Sequence, residues 1–129
     1  MNRRVARLRA AQALYQVDVA HTQPLEALES VLDDHEEASP FLKELIDGTI
    51  EHKAKIDHII SEHLVGWTID RMGNVDRAIV RMAIYEMLYI EDIPKNVTFN
   101  EAIELAKAFG GEESGKFVNG ILSKAMPSN

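Results

Sequence analysis

The sequence predicts an all-α fold, on three observations. Apolar residues recur at three- and four-residue steps through most of the 129 residues, which is the spacing of one helix face. No segment alternates apolar and polar residues with a period of two over more than a few positions. Two capping signals, Ser39-Pro40 and Thr98 with Glu101, are typical of helix starts.

The first half of the chain predicts three helices. The first covers about 4–20, and its apolar stripe consists of Ala6, Ala10, Ala13, Leu14, Val17 and Ala20. A second helix begins at Pro24, a residue suited to a first turn, and points its acids outward. A third begins at Ser39-Pro40 and runs to about 64, with Gly48 either tolerated or a point of close packing.

The second half predicts four more helical segments, at about 68–72, 75–90, 98–109 and 113–126. Asn74 is the expected cap of the second of these. Thr98 and Glu101 form a capping box that begins the third, and Gly110-Gly111 stops it in the αL conformation. The last helix ends before Pro127, so the prediction is seven helices in all.

The composition is that of one soluble globular domain over residues 1–129, with 46% hydrophobic and 27% charged residues. The absence of cysteine excludes disulfides and thiolate metal sites. No apolar run approaches the roughly 18 residues of a membrane span, and no signal-peptide pattern follows the basic N-terminus. We therefore expect a cytoplasmic protein.

Charge is unevenly distributed. The net charge of −7 argues against a general binder of duplex DNA, because such binding neutralises phosphates. Arg3, Arg4, Arg7 and Arg9 nevertheless precede any acid, whereas residues 26–37 hold six acids and no lysine or arginine.

On a helix, Arg3, Arg4 and Arg7 lie within about 100° of arc beside the apolar stripe, while Arg9 faces elsewhere. Guanidinium groups bind phosphates and stack on bases, so this cluster is a candidate nucleic-acid contact. The alternatives are a disordered solubilising tail, or salt bridges to the acidic segment.

Enzymatic motifs are missing from the sequence. There is no glycine-rich phosphate loop and no nucleophile elbow, and the five histidines lack the spacing of a metal site. We interpret the histidines as solvated side chains and predict no catalytic residue, no cofactor and no metal.

Two further elements carry basic side chains. Arg77 and Arg81 lie at i,i+4 on the predicted 75–90 helix, next to Asp76. Lys116-Phe117-Val118-Asn119 combines a cation, an aromatic ring and an amide, which suit phosphate contact, base stacking and base-edge hydrogen bonding. A core position is the alternative for Phe117.

Three stretches resemble the NusB family of bacterial transcription antitermination factors. They are Arg3–Arg7 continuing through Gln12–Tyr15, then Val75–Met87, and finally Asn100–Lys107 with Lys116–Gly120. The motifs NEAIELAK and KFVNG are the most specific, whereas residues 21–65 match in pattern only. A related domain is attached to an RNA cytosine methyltransferase.

The resemblance implies a seven-helix fold of two helical subdomains, without catalytic activity. It implies binding of the single-stranded boxA element of nascent ribosomal RNA together with the ribosomal protein NusE, and indirect links to other Nus factors and RNA polymerase. The implied RNA-binding residues are Arg3, Arg4, Arg7, Gln12, Tyr15, Arg77, Arg81, Lys116, Phe117 and Asn119.

Two positions qualify this expectation. Val5 interrupts an arginine run that is frequent in the family, which weakens the predicted patch. Asp76, an acid among arginines, is poorly placed for phosphate and suits a basic partner, so we assign it to the protein interface.

Two competing interpretations remain. A helical protein–protein adaptor would use the arginines for a partner and contact RNA only incidentally. An accessory domain of an RNA methyltransferase is disfavoured, because seven helices in 129 residues leave no room for a nucleotide-binding α/β domain.

Overall fold

The computed structural model describes residues 1–126, and every regular element within them is helical. The helices are α1 Arg3–Ala20, α2 Pro24–Val31, α3 Pro40–Glu51, α4 Lys53–Ser61, α5 Asn74–Tyr89 and α6 Lys95–Ala125, with a 3-10 turn at Ile69–Arg71 before α5. The predicted all-α class is confirmed. Within the same residues no helix combines the length and apolar character that crossing a membrane requires.

Helix α5 lies at the centre of the fold. Every residue from Arg77 to Met87 is buried, which is typical of a helix that is enclosed on all sides. Helices α1, α2 and α3 pack on one another, and α4 and α6 pack together, while α5 contacts α1, α3, α4 and α6. Helices α3 and α4 also pack on each other, so the division into two helical subdomains stays a prediction.

Several predicted helix starts are confirmed. The Ser39 hydroxyl accepts a hydrogen bond from the Leu42 amide at 3.1 Å, and Pro24 occupies the first turn of α2. Asn74 is the first residue of α5 rather than its cap, a difference of one position. Its side-chain oxygen instead accepts a hydrogen bond from Arg77 Nη2 at 2.8 Å.

Two predicted boundaries are wrong. The helix predicted from Ser39 to about 64 divides at His52, where φ is −101° and ψ is 16°. The His52 ring Nδ1 lies 3.0 Å from the Gly48 carbonyl oxygen at this junction. The capping box at Thr98 does not begin a helix, because α6 starts at Lys95 and Thr98 is buried inside it. Pro94 is the cap residue before that start, with a non-helical ψ of 138°, and its carbonyl oxygen accepts the first hydrogen bonds of the helix.

Residues 1–126 form six helical spans where seven helices were predicted, because the predicted third helix divides at His52, the 68–72 segment is a 3-10 turn, and the last two helices are joined in α6. The predicted break between those last two is present, since α6 consists of two helices that meet at the non-helical Gly111. Gly111 has φ 74° and ψ −165°, which is a glycine conformation but not the predicted αL. Of the two alternatives predicted for Gly48, close packing is the correct one. An added Cβ there would overlap the Tyr85 ring. The predicted position of Pro127 lies outside the described residues.

Candidate nucleic-acid interface

The first turn of α1 carries two exposed arginines. The side chains of Arg3 and Arg4 are 51% and 78% exposed, and each forms one ion pair of 3.3 Å, with Asp92 and Glu101 respectively. Exposed pairs of this kind contribute little, because water and salt screen them. Both arginines lie within α1 rather than in a disordered tail, and their guanidinium groups are accessible to a ligand.

Arg7, one turn further along α1, is enclosed. It is 5% exposed, and its Nε donates hydrogen bonds to Glu86 Oε1 and Oε2 of α5 at 3.0 and 3.1 Å. The Phe41 ring covers the guanidinium at 5.4 Å. The predicted position of Arg7 on one surface with Arg3 and Arg4 is therefore corrected, because a buried carboxylate draws it inward.

Arg77 and Arg81 are also enclosed, at 8% exposure each. Arg77 donates to Asp18 Oδ2 of α1 from Nη2 at 2.7 Å and from Nε at 2.9 Å. Arg81 donates to Asp57 of α4 from Nε at 2.7 Å and from Nη2 at 2.9 Å. The basic pair predicted for phosphates therefore links α1, α4 and α5 internally.

Asp18 connects the two arginines, since its other carboxylate oxygen lies 3.5 Å from Arg81 Nη1. Burial alone would raise the pKa of Asp18, but the hydrogen bonds and charges of Arg77 and Arg81 outweigh it and hold the pKa below the usual value of 3.8. The folded protein therefore favours the ionised carboxylate.

Gln12 and Tyr15 line one open cleft of about 560 Å³ between α1, α2, the start of α5 and Phe109 of α6. Tyr15 is 37% and Phe109 43% exposed, so two aromatic side chains are available there. Sequence reasoning did not single out Phe109, because helical periodicity does not show that this aromatic side chain is exposed.

Arg9 lines the same cleft and is paired within the chain. Its guanidinium bonds to Asp33 at 2.9 Å and to Glu36 at 3.2 Å, both in the acidic 26–37 segment. The alternative prediction, salt bridges between the N-terminal arginines and the acidic segment, is therefore correct for Arg9.

Asp76 is half-buried in the first turn of α5, where an acid is favoured by the helix dipole. Burial raises the pKa of Asp76, and a hydrogen bond from the Ser114 side chain of α6 partly offsets that rise. The neighbouring Val75 lines the cleft of Gln12 and Tyr15. Asp76 is therefore next in the chain to a residue of that cleft, and its role toward a partner stays a prediction.

The second half of α6 carries the remaining predicted residues. Lys116 and Asn119 are exposed, whereas Phe117 is half-buried. The Phe117 ring packs against Trp67, with ring centroids 5.5 Å apart and planes tilted by 55°. Trp67 was not predicted as a site residue.

The predicted residues therefore fall into three groups. Arg4 lines a groove of about 370 Å³ between α1 and α6, and Gln12 and Tyr15 line the neighbouring cleft. Lys116, Phe117 and Asn119 lie together further along α6. Arg7 also borders the groove of Arg4, but it is enclosed and paired with Glu86. Arg77 and Arg81 are enclosed as well, paired with Asp18 and Asp57.

Comparison with known sequences gives one family. The NusB family model matches residues 4–127. Transcription antitermination protein NusB of Halalkalibacterium halodurans is 64% identical over 98% of this chain and 94% of its own length. The protein of the same description from Bacillus subtilis is 55% identical over 95% of this chain and 93% of its own.

Comparison with solved structures agrees. T. maritima NusB has a TM-score of 0.85 and 41% identity, covering 97% of this chain and 90% of that one. A chain in the crystal structure of antitermination factors NusB and NusE in complex with dsRNA has a TM-score of 0.86 and 31% identity, covering 95% and 94%. The two sequence relatives are both described as transcription antitermination proteins. On the extent of these matches, this chain belongs to the NusB family of transcription antitermination proteins.

Proposed function

We propose that this protein acts in transcription antitermination as one RNA-binding domain, which binds the boxA element of nascent ribosomal RNA as a heterodimer with NusE. Other Nus factors and RNA polymerase then join indirectly. The observation that carries the proposal is the similarity to a NusB chain solved with NusE and dsRNA, at a TM-score of 0.86 over 95% of this chain.

The exposed members of the predicted set are suited to direct contact. Arg3, Arg4 and Lys116 offer cations to phosphates, and Tyr15 offers a ring on which a base can stack. Asn119, exposed on α6, has the donor and acceptor that a base edge requires. The enclosed Arg7, Arg77 and Arg81 support this face from within, because each ties α5 to another helix.

A basic partner would compensate for the negative charge of this chain when it binds RNA. A chain of net charge −7 that offers few exposed cations to RNA holds a single strand weakly. NusE docked beside Asp76 would extend the positive surface along the same strand. Binding of RNA and of NusE should then be cooperative.

The test is a titration of single-stranded boxA RNA with and without NusE. We expect NusE to tighten RNA binding about tenfold, a coupling of about 1.4 kcal/mol, and RNA to tighten NusE binding by the same factor. Lys116→Ala should weaken RNA binding, whereas Lys53→Ala, exposed on α4, is the matched control. Equal RNA affinity with and without NusE would contradict the cooperative heterodimer.

The same titration addresses the competing adaptor. Tight NusE binding without measurable RNA affinity at any NusE concentration would favour the adaptor. Asp76→Ala should weaken NusE binding relative to Asp70→Ala, an exposed acid on the preceding turn. Normal NusE binding by Asp76→Ala would remove that residue from the interface.

A further inference from the structure

Trp67 lies in the segment between α4 and α5 and is not among the residues predicted to contact RNA. It follows Gly66, which has a positive φ of 80°, and precedes the 3-10 turn. Trp67 is half-buried and its ring packs on that of Phe117, which is also half-buried, and both residues pack against the hydrophobic core. Trp67 is the one tryptophan of the chain.

The segment that carries Trp67 is hydrogen-bonded to Arg77 of α5. Arg77 Nη1 donates hydrogen bonds to the carbonyl oxygens of Ile69 and Met72 at 3.3 and 3.2 Å. The same guanidinium is bound to Asp18 of α1. The backbone that follows Trp67 is therefore anchored to α5 and, through Asp18, to α1, and a preorganised binding surface needs such anchoring.

Exposed polar side chains on the same stretch of α6 as Phe117 are of the types that bind a single-stranded nucleic acid. Lys116 is adjacent to Phe117 in the sequence and exposed, and Asn119 is exposed two residues later. A cation for phosphate beside aromatic rings for bases is the usual composition of such a surface. A ring that is packed on one side loses little freedom when a base stacks on its other side.

We propose that Trp67 is a positioning residue of the RNA site, which braces the Phe117 ring so that one unpaired base stacks at the Trp67–Phe117 pair. The proposal rests on the proposed function and adds a residue to it. Trp67 acts through Phe117, and the indole lies close enough to a base at Phe117 to report its arrival.

The first test compares RNA affinity among variants, with labelled boxA RNA and NusE present. Trp67→Ala should weaken binding about tenfold, because the unbraced Phe117 ring no longer holds its stacked base, and Trp67→Phe should retain most of the affinity. The slope of log K against log salt should be unchanged in both variants, since no charge is removed. Val65→Ala, 83% exposed in the same segment, is the matched control.

A purely structural role is separated by a second control. Ile50→Ala removes half-buried packing of α3 from the core, away from Phe117. It should lower the melting temperature without weakening RNA binding, whereas Trp67→Ala should weaken RNA binding at temperatures where circular dichroism shows it folded. If Trp67→Ala does not fold, the emission measurement described below decides.

The second test uses the unmodified protein, whose tryptophan emission arises from Trp67 alone. RNA should change that emission in proportion to occupancy, and Phe117→Ala should abolish the change. The proposal requires both the emission change with RNA and its loss in Phe117→Ala. Saturating RNA binding with unchanged Trp67 emission, or a folded Trp67→Ala with normal RNA affinity, overturns this proposal alone. Absence of RNA binding by the unmodified protein with NusE overturns the proposed function as well.

Discussion

The arginines in the first turn of α1 are exposed, whereas Arg7 and the two arginines of α5 are enclosed. Arg3 and Arg4 have side chains 51% and 78% exposed, with single long ion pairs. Arg7, Arg77 and Arg81 are at most 8% exposed, and each is held by a carboxylate of another helix. Matching motifs therefore do not identify contact residues by themselves, since part of a basic motif builds the support for the rest.

The largest expected effect is at the enclosed pair of Arg7 and Glu86. Arg7→Ala leaves the Glu86 carboxylate, which is 1% exposed, without its partner. We expect a loss of about 3–5 kcal/mol in the free energy of unfolding, the usual cost of half a buried ion pair. Chemical denaturation measures it.

A double variant sharpens this prediction. Arg7→Met combined with Glu86→Leu removes both charges and should recover most of the loss, because no unpaired charge remains. Arg4→Ala is the exposed counterpart and should change the free energy of unfolding by less than about 0.5 kcal/mol. Equal losses for Arg7→Ala and Arg4→Ala would remove the distinction between the two groups.

The sequence predicts the helical class and most elements because the apolar spacing is local information. It does not predict that Arg7 pairs with Glu86, which is 79 positions away. A signal was present in α5, where Arg77, Arg81 and Glu86 interrupt an otherwise apolar stretch. Because that helix is enclosed on all sides, its charges require partners, but only the packing shows which.

The misplaced boundaries have a similar cause. Thr98 with Glu101 is a start signal for α6, and Pro94, four residues earlier, is a punctuating residue that also marks a boundary. The structure selects the proline, and Thr98 becomes a buried side chain within the helix. Local rules thus identify the helix, while packing sets where it begins.

The next largest effect concerns Asp18 and pH. Its pKa is lower in the folded protein than in the unfolded chain, so its contribution to stability is fully present above the ordinary value of 3.8 and is lost as pH falls through the folded value. Asp18→Asn should cost about 2–3 kcal/mol at neutral pH, since hydrogen bonds to charged groups are lost.

Urea denaturation across pH measures this contribution. From about pH 5 downward, the free energy of unfolding should fall less steeply in Asp18→Asn than in the unmodified protein. Asp34→Asn, an exposed change in the α2–α3 segment, should follow the unmodified curve. Parallel curves for Asp18→Asn and the unmodified protein would show that the buried network does not depend on this carboxylate.

The smallest expected effect belongs to the exposed arginines, and it appears in RNA binding rather than in stability. Arg4→Ala should weaken boxA RNA binding a few-fold and make the slope of log K against log salt less negative by about 0.7, the value for one phosphate contact on a single strand. Its neighbour Glu101 competes for the same guanidinium at 3.3 Å and keeps a negative charge near the strand. Glu101→Gln should therefore act in the opposite direction and tighten RNA binding about twofold, while its salt slope keeps the contribution of Arg4. Salt titrations of the two variants beside Lys53→Ala decide the matter: if Glu101→Gln weakens binding, or if Arg4→Ala leaves the slope unchanged, the first turn of α1 is a solvated surface and the RNA contact lies elsewhere on the molecule.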